Sequence, residues 1–162
     1  MSANRKLLAV VLALAAVGLA LLVTLGPGSQ DSEVAADWGV IAPDTARAQA
    51  QQFIQDWRSI ELSAEEERTK VRALERIPAP CCDDNPISTC CCPCNLAKAV
   101  WGMSARLIAH EGAGADEVER QVRGWLEGIN PDGWAGDACY EGRCDRPFHV
   151  DGCGGMDERM IF

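Results

Sequence analysis

Six of the nine cysteines fall in one stretch, Cys81-Cys82-Asp83-Asp84-Asn85-Pro86-Ile87-Ser88-Thr89-Cys90-Cys91-Cys92-Pro93-Cys94. Within it, Cys91 to Cys94 form a C-x-x-C placed just ahead of an apolar helical pattern. N–H groups at a helix N-terminus stabilise a thiolate, and the thiolate is the species that attacks a disulfide. On this reading the chemistry is thiol–disulfide exchange, with Cys91 as nucleophile and Cys94 resolving the mixed disulfide. The same stretch also reads C-x-C-x-C through Cys90, Cys92 and Cys94. Together with Cys81 and Cys82 these could present several thiolates to one soft ion, and Cu or Zn is what thiolate-only sites favour. A third reading is structural: disulfides that reach across the loop, because adjacent cysteines rarely bond each other without strain.

The remaining cysteines lie near the C-terminus. Cys139, Cys144, His149 and Cys153 are separated by four, four and three residues, a Cys3His set suited in count and compactness to one tetrahedral zinc. The alternative is one disulfide among the three cysteines with His149 exposed. An odd cysteine total leaves at least one thiol free, metal-bound or paired with another chain. His110 reads as a cap on the last carbonyls of a helix rather than as a ligand. No C-x-x-C-H haem site, phosphate-binding glycine loop or nucleophile elbow is present. With only His110 and His149 available, a histidine-rich catalytic metal site is excluded.

The elements that must position these residues are helical. Pro43 and Asp44 open a first helix, with Phe53, Trp57 and Ile60 spaced as one buried face. Ser63 and Glu66 make a capping box for a second, carrying Val71, Leu74 and Ile77 and stopped by Pro78 and Pro80. Leu96, Val100, Met103 and Leu107 mark a third that ends at Gly112 and Gly114. Val118, Val122, Trp125 and Ile129 mark a fourth, opened by Asp116 and Glu117 and ended by Pro131, Gly133 and Gly136. Trp57, Trp101 and Trp125 read as packing residues. The expected fold is mostly α: a helical domain over 43–136 with its cysteine loop at 81–94, then an irregular tail over 137–162. A tail this short and aperiodic needs a covalent or metal staple to be ordered.

Ahead of that domain, Leu7 to Leu25 is an uncharged apolar run of the length that spans a hydrocarbon core. Arg5 and Lys6 precede it, which places residues 1–6 in the cytoplasm and the rest outside. The run is longer than the apolar core of a cleaved signal, so a retained single-pass anchor over 7–25 is expected, with 26–42 as linker. Trp38 is placed for the membrane interface. Beyond Gly26 the chain carries 13 basic and 24 acidic residues, a formal charge of −11. Nucleic acid and anionic lipid headgroups are poor partners for so acidic a segment. An oxidising compartment agrees with the cysteine usage. The partners expected are the membrane, through the N-terminal helix, and another exported thiol protein or membrane complex.

Two resemblances follow from these residues. Cys90 to Cys94 resembles the motif of exported, membrane-anchored proteins named for C-Y-C-x-C (CYCXC), some carrying selenocysteine, and of the related Pro-Cys-Tyr-Cys-Gly-Cys (PCYCGC) lipoproteins. Cys91 stands where those families have tyrosine. The order of Cys91 to Cys94, a helix over 96–110, a turn over 111–115 and a helix over 116–128 is similar to the three-helix thiol reductase of cytochrome c maturation. Here that family's arginine before the first cysteine and glutamine after the second are missing. Both resemblances imply exported dithiol chemistry, and neither reaches the tail.

Overall fold

The computed structural model describes residues 38–162. The expected anchor, Leu7 to Leu25, lies outside the described residues. Among those described, no helix is long and apolar enough to cross a membrane.

The fold is mostly helical. Helix α1 is Pro43–Ser59, with proline in the first turn where its missing N–H costs nothing. Helix α2 is Ala64–Leu74, opened by the expected capping box. The Ser63 hydroxyl accepts from the Glu66 N–H, and the Glu66 carboxylate accepts from the Ser63 N–H. Helix α3, Asn95–Glu111, ends on Gly112 in the left-handed region, φ 69°. Helix α4 is Ala115–Ile129.

Helix α3 is the centre of the molecule. Leu96, Val100, Met103 and Leu107 are buried as their spacing requires, and Ala97, Ala99, Ala105 and Ile108 are buried with them. A helix apolar around most of its circumference must be covered on several sides. Helix α1 packs along one side of it, while α2 contacts both α3 and α4. The α1 and α3 backbones meet closely at Gly102, where a Cβ would stand 1.7 Å from the Phe53 carbonyl oxygen.

On α1 the fully buried stripe is Ala46, Ala50 and Ile54, while Phe53 and Trp57 are half-buried at its border. At that crossing α3 meets the backbone of α1 at Phe53 and Trp57, not their side chains. The aromatic rings pack around the contact instead, Phe53 edge-on to Trp125 at 5.5 Å and Trp57 against Trp101 at 6.0 Å. Arg106 of α3 clamps Asp56 of α1 through both carboxylate oxygens, at 2.6 and 3.1 Å.

The segment before α1 is docked onto α4. The Ile41 N–H donates to the Gly128 carbonyl at 2.8 Å, and the Trp38 indole donates to Gln121 at 3.1 Å.

Between α2 and α3 the chain forms a two-stranded antiparallel ribbon, β1 (Pro78–Ala79) and β2 (Cys82–Pro86), then a 3-10 turn, Ile87–Thr89. The tail folds back over this ribbon. Asp83 N–H donates to the Gly136 carbonyl, and Cys139 N–H donates to the Cys81 carbonyl at 3.0 Å.

Candidate functional site

All nine cysteines gather where the ribbon, the start of α3 and the tail meet. None is joined to another by a disulfide. Six of them form two groups of three, each with its sulfur atoms within 4.8 Å of one another.

The inner group is Cys81, Cys90 and Cys94, all buried. Cys81 ends the ribbon's turn, Cys90 follows the 3-10 turn, and Cys94 is the N-cap residue of α3. Cys153, whose thiol donates to the Cys144 carbonyl at 3.4 Å, adjoins this trio and perturbs the thiols of both Cys81 and Cys94, making a tetrad with it. Cys94 and Cys153 have no measurable exposure.

Cys153 reaches this place through its backbone. The first N–H groups of a helix have no partner within it, and at α3 the tail supplies them. Asn95 N–H donates to the Gly155 carbonyl at 2.8 Å, and Leu96 N–H donates to the Cys153 carbonyl at 3.1 Å. The buried Asn95 amide adds bonds to the carbonyls of Gly154, 2.8 Å, and Asp157, 3.0 Å. Lys98 reaches the Met156 carbonyl and Glu158. Gly154 and Gly155, with φ of 71° and 84°, give the left-handed turn that brings these carbonyls onto the helix end.

Four thiols in a buried pocket cannot ionise independently. The Cys94 thiol is held far below its usual value, because Cys153, Cys81 and Cys90 all hydrogen-bond to its anion, with the Ala97 amide acting in the same direction. Cys81 is driven up by its interactions with Cys153, Cys90 and Cys94 together with burial. At Cys90 the Cys81 thiol favours the anion, but Cys94 and burial prevail and push it up to about 12. One thiolate shared by three thiols is what such a tetrad becomes without a cation.

The outer group is Cys91, Cys92 and Cys139. Cys91 is exposed and the other two half-buried. Cys92 Sγ lies 3.7 Å from Cys91 Sγ and 3.5 Å from Cys139 Sγ. The hydrogen bond with Cys92 raises Cys91, and that with Cys139 raises Cys92. Cys144 stands between the groups, its thiol interacting with Cys139 on one side and Cys153 on the other. Cys82 is buried beside the outer group, 3.3 Å from the Tyr140 hydroxyl, which in turn donates to Asp84 at 2.7 Å.

The structure therefore divides the cysteines differently from their order in the sequence. Cys91 and Cys94 belong to separate groups, as do Cys90 and Cys92. The run Cys139, Cys144, His149, Cys153 is split, with Cys139 outside and Cys153 inside. His149 joins neither group. It is exposed and lines a cavity of about 230 Å³ with Pro43, Asp44 and Phe162. His110 is exposed in the last turn of α3.

Comparison of the chain with family models, with curated proteins and with solved structures finds no match.

Proposed function

We propose that this is a metal-thiolate protein, tethered outside the cytoplasm, whose inner tetrad of Cys81, Cys90, Cys94 and Cys153 binds one Zn2+. The observation that carries the reading is a buried trio, Cys81, Cys90 and Cys94, with sulfur atoms within 4.8 Å of one another, and a fourth buried cysteine from the tail, Cys153, set against two of them. Zinc bound by sulfur at about 2.3 Å places its ligands roughly 3.8 Å apart around a tetrahedron. Disulfide-bonded sulfur atoms stand about 2 Å apart and join thiols in pairs, which gives no reason for three or four to gather together. Burial, the lack of an open coordination position and ligands spread across the fold are the marks of a structural site. The apolar run from Leu7 to Leu25 behind Arg5 and Lys6 supports the tether.

The test is native mass spectrometry of the full chain purified without chelator, followed by alkylation with and without prior metal removal. One zinc per chain is expected, with Cys81, Cys90, Cys94 and Cys153 alkylated only after its removal. Labelling of those four in the metal-bearing protein, or two disulfides among them, would contradict the assignment.

Thiol–disulfide exchange is the second reading, and the exposure of Cys91 favours it. It requires a mixed disulfide at Cys91, trapped when the resolving cysteine is replaced. With Cys94 in the other group, and Cys92 adjacent in the chain, the geometry makes Cys139 the better resolver to replace.

A further inference from the structure

The outer cysteines are left over once the inner tetrad is assigned, and their arrangement is too specific for scattered surface thiols. Cys91 and Cys92 come from the loop before α3, and Cys139 comes from the tail, yet the three sulfur atoms lie within 4.8 Å of one another. A disulfide would account for Cys92 and Cys139, 3.5 Å apart, and leave Cys91 unexplained. Cys91 and Cys92, as chain neighbours, are poorly placed to bond each other.

We infer that Cys91, Cys92 and Cys139 form a second metal site, three-coordinate and specific for a soft monovalent cation, Cu(I). This rests on the metal-thiolate reading and extends it to a different set of residues. Cys82 touches only Cys91 of this set and Cys144 only Cys139, and neither joins the three sulfur atoms within 4.8 Å of one another, so the set does not complete the tetrahedron that Zn2+ takes in closed sites. The three thiolates do complete a trigonal Cu(I) site, and thiolate softness selects Cu(I) over harder ions.

Binding changes no oxidation state. The three S–H groups release three protons to solvent, three Cu–S bonds form, and the site carries a net charge of −2. The exposure of Cys91 gives the site an open side, whereas the inner tetrad is closed. A thiolate from another protein can approach there. As its sulfur bonds to the ion, the Cys91 bond breaks and Cys91 takes up a proton, so the ion can be handed on without being released to water. The backbone bond from Cys139 N–H to the Cys81 carbonyl holds the third ligand in place.

The experiment is an anaerobic titration of the zinc-loaded full chain with Cu(I), in reductant and in competition with a chromogenic Cu(I) chelator. The result expected is one Cu(I) per chain with zinc retained, and X-ray absorption at the copper edge showing sulfur-only, three-coordinate ligation. Cys91→Ser and Cys139→Ser should each weaken Cu(I) binding by at least about tenfold and leave the zinc content unchanged. Cys91 is exposed, so its serine variant keeps the fold. Displacement of zinc by the first equivalent of Cu(I), or undiminished binding in both variants, would overturn the proposal. A chain that carries no zinc would sink the reading of the inner tetrad instead. The same two variants, titrated without zinc, would then decide the outer site by itself.

Discussion

The Leu96 N–H donates to the Cys153 carbonyl at 3.1 Å, so the residue that completes the inner thiol tetrad also closes the N-terminus of the central helix. Helix capping and metal ligation are thereby coupled through one stretch of tail. Loosening either should loosen the other.

Asn95 is the side chain on which this coupling can be tested. It is fully buried, and its amide donates to the Gly154 and Asp157 carbonyls. Asn95→Ala removes both bonds, leaving the Gly154 carbonyl only its bond from Phe162 N–H and the Asp157 carbonyl only its bond from Met160 N–H, and should cost about 1–3 kcal/mol for the two bonds together, read from urea unfolding. It should also speed the transfer of zinc to an external chelator, although Asn95 offers the metal no ligand. Unchanged release kinetics would separate the cap from the site.

Gly102 tests the helical core independently of the cysteines. A Cβ there would overlap the Phe53 carbonyl oxygen, and that backbone atom can yield only if α1 moves. Gly102→Ala should destabilise the fold by about 1–3 kcal/mol or more, measured by denaturant titration. Wild-type stability in this variant would mean that α1 and α3 do not pack as closely as described.

Removal of the inner metal should act on the tail before the helices. Amide exchange after chelation should accelerate over 137–162 and at the first turn of α3. The α1 and α3 interiors should keep their protection, since neither helix carries a cysteine within its length. Uniform acceleration over 38–162 would instead make the metal a condition of the whole fold.

The outer thiols make a prediction about pH. Cys91 is raised by its hydrogen bond to Cys92, so the fold favours its protonated form. Any stability this contributes is present below the ordinary cysteine value and is lost as pH rises through the raised one. In the reduced, metal-free chain, alkylation of Cys91 at neutral pH should therefore be slower than that of a free cysteine, despite its exposure. Its rate should keep rising beyond about pH 8.5, where an unperturbed thiol begins to level off. Labelling faster than a free thiol at neutral pH would restore Cys91 as an activated nucleophile.

Local signals in the sequence were good guides wherever the physics is local. The capping box at Ser63 and Glu66, the proline start of α1 and the glycine stop after Glu111 each involve residues a turn apart, and each is where its chemistry predicts. The α1 face was less legible. Phe53 and Trp57 have the right spacing to be buried, but α3 meets their backbone at Gly102, which leaves their rings at the border of the contact.

The short ribbon at 78–86 was hidden by its three prolines and two aspartates, which are poor strand formers, and it is held by the tail. The grouping of cysteines was least legible. C-x-x-C and C-x-C-x-C describe neighbours along the chain, whereas Cys153 reaches Cys94 and Cys139 reaches Cys92 through contacts made after folding. Cys81 belongs to the inner group by the same route. A signal was present in Gly154 and Gly155 after Cys153, a pair that permits the tight approach to a helix end, but its target could not be read without the fold.

The most direct test of the central claim is X-ray absorption at the zinc edge of the full chain, wild type beside Cys153→Ser. A single shell of four sulfur atoms at about 2.3 Å in the wild type, losing one sulfur in the variant, is the predicted result. A nitrogen ligand in the shell, or a wild-type spectrum unchanged by Cys153→Ser, would contradict it.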